Sequence, residues 1–288
     1  MNEFRVELTA RELDLARCLT AGQVFRWVQD GDHWRGSDGD LAWILRQDKT
    51  GITARTNGTP LDFDALFGLT EHAQGRLDQC LRVDPGLRDV ASLCGGLRLM
   101  QPRDSLETLL SFICTANNHI KRISQMVRAL EQWGSDLPGG LHRFPRLDQL
   151  RSISESELRE RGFGYRAKSI VRTVGELQAR GEAWLESLRS ATYESARTEL
   201  MQLPGVGPKV ADCVLLFGLG FGEAVPVDVH MWRALVARYH PELEGQPFTV
   251  SRATHMGREL RDRFGTDAGW VHHILFYEQL SKPRESVV

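Results

Sequence analysis

No apolar run in the 288 residues approaches the roughly 20 that would cross a bilayer, and no low-complexity tract, heptad array or fixed-period repeat occurs. The first residues lack the apolar core of a signal peptide and the basic character of a transit peptide. The expectation is a protein without membrane association, in a bacterial or archaeal cytoplasm. Cysteine is scarce and scattered: Cys18, Cys80, Cys94, Cys114 and Cys213 form no C-x-x-C pair. Reduced thiols are therefore expected, and a zinc or iron–sulfur cluster is not. Positive charge is also missing as a surplus. With 36 Lys and Arg against 38 Asp and Glu, net charge is −2. That excludes a dense coater of nucleic acid, though not an enzyme that grips a few phosphates through a local patch and aimed backbone amides.

What remains is ordinary globular composition, 41% hydrophobic and 26% charged, over a length that suits two domains or one large one. Residues 23–56 predict a β meander. Segments 23–28, 33–35, 41–45 and 52–56 are rich in aromatic and β-branched residues, with turn signals at Asp30-Gly31, Asp38-Gly39 and Asp48–Gly51 between them. Trp27, Trp34 and Trp43 fit sheet or core positions. From Ser105 the period becomes helical, with Leu106, Leu109, Leu110 and Ile113 on one face behind an N-cap at Asp104 or Ser105. Helices are expected near 120–133, 147–151, 155–161, 166–179, 193–202, 208–217, 228–239, 251–264 and 267–281, and a loop at 137–145. The fold class is α+β, an antiparallel sheet domain with flanking helices at 1–98 and a larger all-helical domain at 99–288.

The densest chemistry lies in Leu203-Pro-Gly-Val-Gly-Pro-Lys-Val-Ala-Asp-Cys213 and Pro226-Val-Asp-Val-His-Met-Trp-Arg233. Gly205 and Gly207 permit positive φ and close approach of a ligand backbone. Pro208 suits a first helical position, so the hairpin ends on a helix N-terminus, where free N–H groups and the dipole favour a phosphate. Lys209 sits in that first turn. A lysine attacks only as the neutral amine, which such a position and partial desolvation favour. Cys213 shares its helix face, either lining the lysine's pocket or simply buried. Asp228 reads as an N-cap that could also support a developing positive charge. His230 suits a phosphate contact if exposed and the core if not.

These blocks resemble the helix–hairpin–helix glycosylases of base excision repair, and more closely the 8-oxoguanine DNA glycosylases with their V-G-x-K-V-A-D-C and V-P-V-D-V-H-M-W segments. Gly22-Gln-Val-Phe-Arg-Trp27, Ser111-Phe-Ile-Cys-Thr-Ala-Asn-Asn-His-Ile-Lys-Arg122 and Gly164-Tyr-Arg-Ala167 agree in order with the same family over about residues 5–282. The resemblance implies a TBP-like sheet domain ahead of the helical one, and a monomer that acts on double-stranded DNA containing an oxidised purine without a cofactor. It assigns Lys209 to attack on C1′ and a Schiff base, and Asp228 to charge support. Asn117 fills the place of the flipped nucleotide, Arg122 and Arg166 bond the orphaned base, and Tyr165 wedges the stack.

Gly22, Cys213, His272 and Phe276 receive the lesion, the carbonyl of Gly22 reading its N7 hydrogen. The amides of Gly205 and Gly207, with His230, take phosphate, and a monovalent cation is possible at the carbonyls near Leu203 and Val206. One departure stands out in Gly269-Trp-Val-His-His-Ile-Leu-Phe276: His272 replaces the glutamine of the vertebrate-type pattern. Histidine is expected to bring pH sensitivity near neutrality to lesion reading. Related glycosylases for alkylated purines or oxidised pyrimidines, and a non-catalytic helix–hairpin–helix module, are the alternatives. The presence of Lys209 with Asp228 and the absence of a cysteine cluster speak against them.

Overall fold

The computed structural model describes residues 1–69, 73–181 and 183–282. Strands β1 (Asn2–Val6), β2 (Val28–Asp30), β3 (His33–Asp38), β4 (Leu41–Gln47) and β5 (Ile52–Thr56) form one antiparallel sheet in the order β1-β5-β4-β3-β2. The Asp-Gly turns fall where expected, between β2 and β3 and between β3 and β4. On β4, Trp43 and Leu45 point the same way, as alternate residues of a strand must, and both are fully buried. Trp43 packs on Phe63 of helix α2 (Pro60–Leu66), ring centroids 6.1 Å apart. Trp27 lies across β3 at Gly36, where a Cβ would come within 2.5 Å of its ring.

Two expectations for this part change. β1 is not among the expected strands because Asn-Glu-Phe-Arg-Val is a short edge strand in which only Phe4 and Val6 are apolar, and both are no more than half-buried. The segment 23–28 is strand only from Val28 onward. Its first part turns inward instead. The Gln23 amide donates to the carbonyls of Cys18 (2.9 Å) and Arg98 (3.0 Å) and accepts from the Met100 N–H (2.9 Å). Phe25 meets Phe112 edge-on at 5.5 Å. Arg26, its side chain 1% exposed, binds Glu107 (2.7 Å), Glu131 (3.1 Å) and the His142 carbonyl (3.0 Å). Burial works against its charge, and the two carboxylates more than offset this, so its pKa is raised. A motif that looked like strand is the seam between sheet and helices.

The helices of this first part are α1 (Leu15–Thr20), α2, α3 (Ala73–Val83) and α4 (Arg88–Leu93), the last two packed on the C-terminal helices rather than on the sheet; the rest is mostly helical. In chain order come α5 (Ser105–Ile113), α6 (Ile120–Leu130), α7 (Glu155–Glu160), α8 (Arg166–Arg180), α9 (Ala183–Ser187), α10 (Tyr193–Leu200), α11 (Pro208–Gly218), α12 (Val229–Tyr239), α13 (Val250–Phe264) and α14 (Ala268–Ser281). Asp104 caps α5 by accepting from the Glu107 N–H at 3.0 Å. The helix expected at 147–151 is a single 3-10 turn, Gln149–Ser152, and the loop 137–145 holds part of a two-residue strand pair. Helices α5 and α11 form the centre of the helical part, with Phe112 stacked on Phe217 at 5.4 Å. No helix among the described residues is long and apolar enough to cross a membrane.

Candidate active site

The hairpin Leu203–Gly207 joins α10 to α11. The Leu203 carbonyl accepts from the Val206 N–H (3.1 Å), and that of Pro204 accepts from the Thr173 hydroxyl (2.8 Å). Its two glycines serve different ends. Gly205 has φ +81° and presses on α8, where a Cβ would lie 2.6 Å from Cβ of Ser169. Gly207 is extended (φ −91°), so only Gly205 uses the positive φ that both glycines permit, and a Cβ at Gly207 would meet nothing within 4 Å. Gly207 instead caps α11 without a side chain and, being itself exposed, leaves the start of the helix open.

That opening is one wall of a cleft of about 1130 Å³. It brings together Asn117, Arg122, Tyr165, Arg166, Gly205, Gly207, Lys209, Asp228 and His230, nine of the residues predicted from sequence. Lys209 reaches from the first turn of α11 to place Nζ 3.2 Å from Oγ1 of Thr115 and 5.5 Å above the Phe112 ring. The cap on α12 uses a single carboxylate oxygen: Oδ1 of Asp228 accepts from the N–H groups of His230 and Met231, both at 3.0 Å. Capping and a second task for this carboxylate are therefore compatible. His230 is exposed, as a phosphate contact would be.

A strained loop closes the opposite side. Asn117, at φ +48°, is the only non-glycine with positive φ among the described residues, a conformation that asparagine tolerates better than most. Two side chains hold the loop. Tyr165 donates from its hydroxyl to the Ala116 carbonyl at 3.0 Å, and Arg166 donates to the carbonyls of Ala116 and Asn117, the latter at 3.1 Å. The Arg166 guanidinium stacks on the Tyr165 ring at 4.5 Å. Tyr165 is 55% exposed, yet Arg166 is buried and engaged rather than free. Arg122 donates to the Gly162 carbonyl (3.1 Å). His119 caps α6 through Nδ1, accepting the backbone N–H of Arg122 at 3.3 Å.

The other four predicted residues do not line this cleft, although Cys213 and His272 lie close enough to Lys209 and Asp228 to feel their charges. Gly22 (φ +77°) has the Phe276 ring about 3.5 Å and Ile120 about 3.4 Å from where a Cβ would stand. Phe276 stacks on His272, centroids 6.1 Å apart. Cys213 is fully buried, which pushes its thiol up to about 12 although the nearby Lys209 ammonium pulls the other way. Neither ring nitrogen of His272 or of His273 makes a hydrogen bond of good geometry. Burial depresses His272 to about 4, despite the opposing field of Asp228, and His273 to about 3. The pH sensitivity near neutrality expected of His272 is corrected accordingly: its imidazole is neutral throughout that range.

Sequence reading missed several residues here. Thr115 gave no signal beyond its place after α5. His119 was visible only as the last residue before a helical run. Asp212, between Val210 and Cys213, is buried and bound by Arg197 (2.8 Å) and the Tyr193 hydroxyl (2.7 Å). A charged residue on an otherwise apolar helix was the available clue.

Residues 110–242 match the HhH-GPD superfamily of base excision DNA repair proteins, and residues 5–109 match the N-terminal domain of 8-oxoguanine DNA glycosylase. An N-glycosylase/DNA lyase OGG1 of Arabidopsis thaliana is 36% identical, over 96% of this chain and 80% of that protein. An N-glycosylase/DNA lyase of Saccharomyces cerevisiae is 33% identical, over 96% and 86%. The 8-oxoguanine glycosylase/lyase of Clostridium acetobutylicum, solved with duplex DNA containing cytosine opposite 8-oxoguanine, superposes with TM-score 0.83 at 26% identity, covering 95% of this chain and 92% of that one. Of these three similar proteins one is from a plant, one from yeast and one from a bacterium, so they do not support the expected bacterial or archaeal source over a eukaryotic one.

Proposed function

The chain belongs to the HhH-GPD superfamily of base excision DNA repair proteins, as a DNA glycosylase with lyase activity of the 8-oxoguanine branch, and from that premise we propose that it excises 8-oxoguanine opposite cytosine and cuts the strand through a Schiff base on Lys209. The observation that carries this reading is the convergence of Lys209 and Asp228, in the first turn and at the N-cap of two different helices, on one open cleft. A base inside the duplex keeps C1′ out of reach, so the nucleotide must leave the stack.

As the N-glycosidic bond breaks, its electron pair departs with the base, and positive charge spreads over C1′ and O4′. The Asp228 carboxylate faces that charge with the oxygen not spent on capping. The Lys209 amine forms the new bond to C1′, the sugar ring opens to an imine, and loss of a C2′ proton expels the 3′ phosphate. The hairpin amides of Gly205 and Gly207, with exposed His230, hold phosphate while this happens. A cation at the carbonyls near Leu203 and Val206 is compatible with the geometry, since the Leu203 oxygen gives one lone pair to Val206 and keeps another.

Lesion reading falls to Gly22, Cys213, His272 and Phe276. The Phe276 ring rests against Gly22, so a base placed between them has to move it. His272 would then offer a neutral imidazole, which in the protein has only the Pro226 backbone as a polar neighbour of imperfect geometry. On the opposite strand Asn117 takes the vacated position, Tyr165 wedges, and Arg122 and Arg166 turn to the orphaned cytosine. The reading takes the protein to act as a monomer. Borohydride trapping on a duplex with 8-oxoguanine opposite cytosine tests the reaction. Wild type should give a covalent adduct and Lys209→Gln none. No adduct from wild type, or equal trapping by the variant, refutes it.

A further inference from the structure

Another stretch of the cleft is built where α10, α11 and α13 meet around Asp212. Arg197 binds this buried carboxylate through two nitrogens, Nε at 2.8 Å and Nη2 at 3.2 Å, and the Tyr193 hydroxyl donates to it at 2.7 Å. The same hydroxyl accepts from Nη1 of Arg261 at 3.0 Å, and the Arg261 guanidinium lies 4.5 Å from the centre of the Tyr193 ring. Burial and the adjoining carboxylate raise the Tyr193 pKa, so the phenol stays neutral. Two guanidinium charges therefore share one carboxylate, leaving one positive charge over. Among the described residues Arg261 has no ion pair, and Nη1 of Arg197 and Nη2 of Arg261 make no hydrogen bond to protein.

Both arginines line the cleft, as does Gly257 one turn before Arg261. A side chain at Gly257 would stand 3.5 Å from Nη1 of Arg261 and cover the approach to it. The planar fork of a guanidinium suits phosphate, and stacking on an aromatic ring holds it ready. A chain of net charge −2 needs such local positive sites to bind a polyanion at all.

We propose that Arg261, braced by Tyr193, whose hydroxyl Asp212 holds in place, is a second phosphate subsite of this cleft, apart from the hairpin amides, that takes a backbone phosphate of the bound DNA. This rests on DNA being the cleft's ligand, and not on which base is excised.

The test is the salt dependence of binding to a duplex carrying a tetrahydrofuran abasic analogue, followed by fluorescence anisotropy between 50 and 200 mM KCl. One phosphate contact contributes about 0.9 to the slope of log K against log salt. Arg261→Met should flatten the slope by about that amount, so wild type loses roughly 3.5-fold more affinity over this range than the variant. Arg261→Lys should restore most of the slope. Asp212 keeps Arg197 in both variants, and Arg261→Gln replaces the methionine variant if that one fails to fold. A methylphosphonate scan should reveal one position whose neutralisation weakens wild type and leaves the variant unaffected. An unchanged slope in both neutral variants, or no such position, overturns the subsite. If wild type binds with the expected slope yet fails to excise 8-oxoguanine, the lesion assignment falls and the subsite stands.

Discussion

Replacing each hairpin glycine by alanine should separate what the hairpin needs to fold from what it needs to bind. At Gly205 the methyl would occupy a φ of +81° and meet Ser169 at 2.6 Å. The backbone conformation alone costs an alanine about 1–2 kcal/mol, and displacing the packed neighbour adds about 1–3 kcal/mol. Gly205→Ala is thus expected to lose about 2–5 kcal/mol, or roughly 3–8 °C in melting temperature. At Gly207 the backbone is extended and a Cβ meets nothing. Gly207→Ala should leave stability unchanged or raise it by up to about 1 kcal/mol through a less flexible unfolded chain. That methyl, however, projects where a phosphate must approach the first amides of α11. Losing one charge-assisted hydrogen bond costs about 1.5–3 kcal/mol, roughly 10- to 150-fold in affinity. Thermal melts and anisotropy titrations on the two variants give four numbers. Gly207→Ala binding within twofold of wild type at an unchanged melting temperature would refute phosphate capture by the hairpin. Gly205→Ala melting within 2 °C of wild type would refute the packing argument.

Arg26→Met removes a buried cation from two carboxylates, Glu107 and Glu131; a loss of about 3–5 kcal/mol is expected in urea unfolding, and a loss below 1 kcal/mol would show the seam to be dispensable. Asp38, with its carboxyl pushed up to about 7 by burial and by neighbouring Glu107 and Asp104, holds a proton in the folded state that the unfolded chain gives up near pH 4. Stability therefore falls as pH rises through about 4–7. Asp38→Asn should stabilise more at pH 8 than at pH 5, and equal effects at both would contradict the sign. His272 works in the opposite sense: depressed to about 4, its contribution is intact above about 6.5 and lost as pH falls toward 4. His272→Gln should flatten that acid limb in urea melts while leaving the pH dependence of excision between 6 and 8 as in wild type. A change in that profile would show that His272 titrates in the working range.

The parts of this molecule legible in its sequence are those governed by short-range rules. Asp-Gly turns, the Asp104 cap and the apolar face of α5 each follow from local chemistry, and the hairpin with Lys209 and Asp228 announces itself by residue type and spacing. What stayed hidden depends on contacts distant in the chain. Nothing near Gln23 or Arg26 says that their partners are Met100 and Arg98, or Glu107 and Glu131, so a buried seam resembled a strand. Likewise His272 looks like an ordinary histidine until its complete burial beside Phe276 fixes its charge state. The site was legible as a set of residues, but not as an open cleft lined by nine of them with the other four outside its lining.

The seam at Arg26 also bears on how the chain can be cut. Dividing it at residues 98 and 99, the proposed border between sheet and helices, separates the guanidinium from both its acids, and Gln23 from the Met100 N–H it accepts. The helical fragment would then carry Glu107 and Glu131 without a counter-charge, beside a Phe112 stripped of Phe25. It would also lose Gly22, four residues before Arg26. A minimal catalytic fragment made by truncation is therefore a poor engineering target. The smallest useful unit keeps the segment from Gly22 to Trp27, the one piece of the sheet half that belongs to the active half as much as to its own.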